Sequence, residues 1–86
     1  MARYGVRITD AGQLRTHLVA FRHAQRLTQT DLAERLGVSK QRISTIESAP
    51  ERITVGQFLT VLCALRVELL LQTPDESGAM VVREGW

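Results

Sequence analysis

The sequence predicts a small all-α domain of four to five helices, followed by one short C-terminal strand that pairs across a homodimer. Three observations lead there. Apolar residues recur at three- and four-residue spacing from Leu14 to Leu65, the period of helices with one buried face. Asp10, Thr28, Ser39 and Thr54 precede the four stretches that carry this pattern, and each can accept a hydrogen bond from a free N–H of a first turn. The run Val67-Glu68-Leu69-Leu70-Leu71-Gln72-Thr73 then changes character and stops at Pro74.

Residues 1–9 read as extended. Tyr4, Val6 and Ile8 alternate with Gly5 and Arg7, the pattern of a short strand. Asp10 caps a first helix that reaches about Arg26, with Leu14, Leu18 and Phe21 on its apolar face. Thr28 caps a short second helix. Asp31 puts a carboxylate near its positive end, and Leu32, Ala33 and Leu36 form its apolar side. Gly37 ends it, because glycine enters the left-handed conformation without strain. Val38 enters a tight turn, and Ser39 caps a third helix from about Lys40 to Ser48, with Ile43 and Ile46 inward. Pro50 prevents its continuation. Thr54 caps a fourth helix through roughly Leu65, whose buried stripe is Val55, Phe58, Leu59, Leu62 and Leu65. Cys63 borders that stripe and reads as a small buried hydrophobe, the alternative being a reactive thiol.

In a strand over 67–73, Val67, Leu69 and Leu71 share one face. An unpaired apolar edge is an aggregation hazard. The same strand from a second copy, antiparallel across a two-fold axis, removes it. The alternative is a longer fourth helix. Residues 74–86 open as a polar linker and read as a mobile tail ending in Trp86. The expected organisation is therefore an N-terminal segment over 1–9, a helical domain over 10–66, a dimerisation strand over 67–73 and a tail over 74–86.

A chain of 86 residues accommodates one domain, and a domain of this size has a thin stability margin. Cys63 is the only cysteine, so no disulfide can form within one chain. His17 and His23, six residues apart, lie on different helix faces and do not form a zinc cluster. Oligomerisation remains as the added support. The lone cysteine and the absence of an apolar secretion segment point to a reducing, cytoplasmic setting, with nucleoid association when bound to DNA. No apolar run is long enough to cross a membrane.

The net charge of +2 is unevenly spread. Between residues 13 and 45, Arg15, Arg22, Arg26, Arg35, Lys40 and Arg42 are opposed only by Asp31 and Glu34. From Arg66 onward the balance is acidic. A basic segment of this kind suits a polyanion. Lys40 is the one lysine among 11 basic residues. Arginine fits phosphate and guanine bidentately, although a GC-rich genome also favours it. Nothing points to an enzyme: there is no glycine-rich phosphate loop, no usefully spaced carboxylate pair and no nucleophile–histidine arrangement. No cofactor or metal is expected.

The informative stretch runs from Leu27 to Glu47 and reads as helix, glycine turn, helix. Ala33 lets two backbones approach, and Val38 and Ile43 pack the crossing. The outer face of the second of these helices keeps Lys40, Gln41, Arg42, Ser44 and Thr45 free. A helix of that kind fits the major groove, with Ser39 to Gln41 deepest. Gln41 can bridge adenine, while Lys40 and Arg42 can reach guanine or phosphate. Ser44 can bond base or phosphate, and the Thr45 methyl can meet a thymine methyl. Backbone N–H groups near Gln29 can bind a phosphate.

The pattern Thr28-Gln29, Leu32-Ala33, Gly37-Val38-Ser39, Ile43-Ser44 and Ile46-Glu47 resembles the helix-turn-helix of the phage-repressor-like, or XRE, family over about residues 14–65. The resemblance implies a lambda-repressor-like fold and binding of a palindromic duplex operator by a homodimer, with half-sites about 34 Å apart or a multiple of that. By position it implies a phosphate contact and a buttressing role for Gln29, and base-facing roles for Ser39, Lys40, Gln41, Ser44 and Thr45. It also implies a buried ion pair between Arg22 and Glu47, which removes Arg22 from the DNA contacts. Arg42, Arg26 and Arg35 are candidates for the DNA backbone, the last two being otherwise simply solvated.

A narrower resemblance is to HipB-type antitoxins, which carry a dimer-paired strand after the fourth helix and then a tail. It implies an autorepressor that holds a HipA-like kinase toxin, one that phosphorylates a translation factor, in an inactive state. Trp86 then docks on that toxin, marks the chain for proteolysis or folds back. The competing readings are a regulator without a toxin and a protein-interaction module that has lost operator binding.

Overall fold

The computed structural model describes residues 5–73. Four helices occur in chain order: α1 (Ala11–Ala24), α2 (Gln29–Leu36), α3 (Lys40–Ser48) and α4 (Val55–Ala64), with a 3-10 turn over Pro50–Arg52 between the last two. Every α-helix begins on a side-chain cap. Asp10 Oδ1 accepts from the Gln13 N–H at 2.8 Å, and Ser39 Oγ accepts from the Arg42 N–H at 3.0 Å. Thr28 with Asp31, and Thr54 with Gln57, form reciprocal capping boxes. Each satisfies two donors that a helix start would otherwise leave free. The Thr28 N–H and hydroxyl hold the Asp31 carboxyl below its ordinary value.

Three helix ends share one device, in which the chain reverses through a left-handed residue and closes a six-to-one backbone bond. At α2 the left-handed residue is Gly37, φ 71°, with the Val38 N–H on the Ala33 carbonyl. At α1 it is Arg26, φ 58°, and at α4 it is Arg66, φ 60°. Leu27 N–H closes onto Arg22 O at 3.1 Å, and Val67 N–H onto Leu62 O at 2.9 Å. This closure folds Leu27 and Val67 back against the core.

The core is Leu18 from α1, Leu32 and Ala33 from α2, Ile43 and Ile46 from α3, and Val61, Leu62 and Leu65 at α4. Each fully buried leucine or isoleucine contributes about 1.5–3 kcal/mol. Ala33 supplies the small surface where α2 meets α3, and Ile43 is wholly enclosed.

Several expectations are corrected. Val55 and Leu59 are not in the buried stripe of α4; they are 71% and 45% exposed. α4 meets the rest of the chain along Phe58, Val61, Leu62 and Leu65, and its opposite side is left uncovered. Cys63 lies on the uncovered side and is exposed. Val38 is 40% exposed rather than packed in the crossing, because the Gly37 reversal carries it outward. α4 does not continue into 67–73: it ends at Ala64 and the chain turns at Arg66.

Among the described residues there is no strand. Residues 5–9 and 67–73 run without regular pairing among the described residues. Val67 is drawn into the chain's own core, whereas Leu69, Leu70 and Leu71 are 50%, 81% and 92% exposed. The strand alternation proposed through Tyr4, and the tail with Trp86, lie in part or whole outside the described residues.

Candidate nucleic-acid interface

α3 divides cleanly into an inner and an outer side. Ile43, Ile46 and Glu47 are buried, and Lys40, Gln41, Ser44, Thr45 and Ser48 are exposed. At about 100° per residue those five fall within one arc of about 140°. Ser48 was missed in the sequence reading, although it lies four residues beyond Ser44 and helical periodicity alone places it there. Ser39 stands at the head of the arc with its oxygen engaged as the cap.

Thr45 donates to the Gln41 carbonyl at 3.1 Å and Ser48 to the Thr45 carbonyl at 3.0 Å. These bonds leave the Thr45 methyl free to make apolar contact. The side chains of Lys40, Gln41 and Ser44 make no hydrogen bond among the described residues. Their donors and acceptors are free for an external partner. Arg42 is half-buried at the edge of the arc and lines a groove with Leu36, Val38, Ile46 and Gln57.

The inner side of α3 is anchored by a buried polar network. Arg22 Nε donates to Glu47 Oε2 at 2.6 Å, and Arg22 Nη2 donates to Glu47 Oε1 at 3.2 Å. Arg22 Nη1 donates to the Leu27 carbonyl at 2.9 Å. Gln29 Nε2 donates to Glu47 Oε1 at 3.0 Å. Both charged residues are 8% exposed, and no buried polar side-chain atom among the described residues lacks a partner. The Glu47 carboxylate thus joins α1, α2 and α3, and the Arg22 guanidinium adds the α1–α2 loop. A bidentate arginine–carboxylate pair also fixes orientation, because both ends are planar forks. The bond from Gln29, 18 residues away in sequence, carries no local signal that would have revealed it.

An open cleft of about 560 Å³ lies where α1, the start of α2 and the start of α3 converge. Arg22, His23, Leu27 and Lys40 line it, around residues 28–30. The Thr28 and Asp31 N–H groups are taken by the capping box. Those of Gln29 and Thr30 find no acceptor among the described residues. Free first-turn N–H groups facing a basic cleft are suited to an anion. Arg26 is exposed just beyond Leu27. Arg35 is held elsewhere: its Nη1 donates to the Ala64 carbonyl at 3.2 Å, at the negative end of α4. The structure brings it neither into the cleft nor onto the α3 arc.

A short helix crossed by a second whose polar face is turned outward defines the helix-turn-helix class. A helix-turn-helix family model matches residues 18–71, and the chain belongs to that family, of the XRE type. Among solved structures it is similar to HipB. A complex described as HipB-O1-O2 is 26% identical, with a TM-score of 0.71, over 80% of this chain and 100% of that one. The HipA-HipB-O2-O3 complex is 25% identical, with a TM-score of 0.72, over 83% and 100%. A HipB-O4 20mer complex is 25% identical, with a TM-score of 0.71 and the same coverage. No curated protein matches by sequence. No helix among the described residues is long and apolar enough to cross a membrane.

Proposed function

We propose that this protein is a cytoplasmic, sequence-specific repressor that binds a palindromic operator as a homodimer and acts as the antitoxin of a HipA-type kinase toxin, whose operon it represses. The observation that carries the DNA-reading part is the outward arc of α3. Lys40, Gln41, Ser44 and Thr45 stand together, unburied and largely free of internal partners, on a helix whose back is bolted to α1 and α2. Ser39 and Gln41 enter deepest, and Gln41 bridges an adenine. Lys40 and Arg42 meet guanine or phosphate at the edges, and Ser44 and Thr45 read bases further along. Gln29, the free N–H groups beside it and Arg26 hold phosphates and set the register.

Dimerisation through residues 67–73 is supported by the exposure of Leu69 and Leu71 at the end of the described residues. Paired antiparallel with a second copy, they lose their contact with water. The antitoxin part is supported by likeness to HipB along the whole of the matched chain, including a complex that also contains HipA. Trp86 is its proposed toxin contact.

The test is selection of binding sites from a random duplex pool, then a salt titration of the selected duplex against scrambled DNA. An inverted repeat bound well above scrambled DNA is expected. Weak binding of both that vanishes at physiological salt refutes operator reading. Co-purification with a kinase-like product of a neighbouring gene tests the toxin contact, and its absence refutes the antitoxin role.

A further inference from the structure

We infer that His23 is a further phosphate-binding residue of the cleft at the start of α2, and that it engages a DNA phosphate in its protonated form. The inference rests on the DNA-binding reading above and adds to it a residue and a dependence on pH. His23 is exposed near the end of α1 and lines the same cleft as Lys40 and the first residues of α2. Its ring makes no hydrogen bond, ion pair or ring contact among the described residues. The other α1 cation in the cleft, Arg22, is already committed to Glu47 and to the Leu27 carbonyl. An anion entering the cleft therefore meets Lys40 from α3 and the free N–H groups of Gln29 and Thr30 from α2. From α1 it meets the imidazole of His23.

The charged groups around that imidazole favour an anion as the missing partner. Lys40 lines the cleft from α3, and Arg26 lies exposed three residues further along the chain, past the end of α1. Two carboxylates of α2 and α3 are already engaged: Asp31 is tied to Thr28 in the capping box, and Glu47 is buried against Arg22 and Gln29. No carboxylate lines the cleft itself. Histidine is the side chain that changes charge near neutral pH. A phosphate beside it and a proton on it reinforce each other's binding by linkage. The second histidine is placed differently: His17 stacks near Phe21, with ring centroids 6.1 Å apart, and lines no part of the cleft.

Phosphate contacts are independent of sequence, so any duplex reports on this one. The experiment measures fluorescence anisotropy with a scrambled duplex of about 30 base pairs at low salt, at about pH 6 and about pH 8, which bracket histidine titration. Wild type, His23→Gln, His23→Arg and His17→Gln are compared. Wild type is expected to bind at least about threefold tighter at the lower pH, with the affinity falling more steeply with salt there. His23→Gln loses that increment, His23→Arg binds tightly at both pH values, and His17→Gln behaves as wild type. A flat wild-type profile, or a His23→Gln protein that keeps the increment, overturns the inference and leaves DNA binding intact. Failure of the wild type to bind any duplex at either pH overturns the DNA-binding reading itself.

Discussion

Glu47→Ala is the substitution that most directly tests how the recognition helix is held. Glu47 accepts three hydrogen bonds, two from Arg22 and one from Gln29. Removing it leaves a guanidinium that is 8% exposed with only the Leu27 carbonyl as partner. Breaking one side of a buried ion pair costs about 3–5 kcal/mol, because the surviving charge stays desolvated. A chain of this size has roughly 4–13 kcal/mol in total, so the loss is a large share of it. The melting temperature should fall by more than about 12 °C, at about 4–8 °C per kcal/mol for a domain this small. The paired substitution Arg22→Met with Glu47→Leu removes both charges together and should recover most of that loss. Urea unfolding of wild type, Arg22→Met, Glu47→Leu and the double variant, read by circular dichroism, measures the coupling. A Glu47→Ala protein within about 1 kcal/mol of wild type would refute the reasoning, since a typical neutral hydrogen bond is worth that much.

Three further outcomes are expected. Gln41→Ala should weaken binding to the selected operator by about 1–3 kcal/mol, the value of a bidentate base contact. It should leave binding to scrambled DNA and the melting temperature nearly unchanged, and equal losses on both duplexes would place Gln41 off the bases. Leu69→Asp should yield a folded monomer by light scattering, because a carboxylate in a paired apolar strand would be buried without a partner; a persistent dimer would move the interface away from residues 67–73. Arg66→Gly should raise thermal stability by up to about 1 kcal/mol. The left-handed conformation costs a non-glycine residue about 1–2 kcal/mol, more than the extra freedom glycine gains on unfolding. A lower melting temperature would show that the Arg66 side chain stabilises the fold.

Much of the fold is written locally. Caps act over three residues, so Asp10, Thr28, Ser39 and Thr54 could be read as helix starts from their neighbours alone, and each one is. Gly37 announces its turn because one residue type adopts that backbone without strain. The outer arc of α3 follows from periodicity once Ile43 and Ile46 are taken as inward, and only Ser48 was overlooked. Arg26 and Arg66 carry no such announcement. They adopt the backbone usually given to glycine because Leu27 and Val67 are pulled onto the core behind them.

What the sequence by itself determined is therefore the identity and order of the helices, the inner and outer sides of α3, and the basic segment that contains it. Those properties depend on spacing along one chain. The tertiary structure alone decided which apolar residues are covered, since Val38, Val55, Leu59 and Cys63 obey helical or turn patterns yet are left exposed. It also decided that Arg35 caps the end of α4, that Gln29 bonds to Glu47, and that His23 shares a cleft with Lys40. Each of those pairings joins residues from different elements, and only the angles at which the helices cross bring them together.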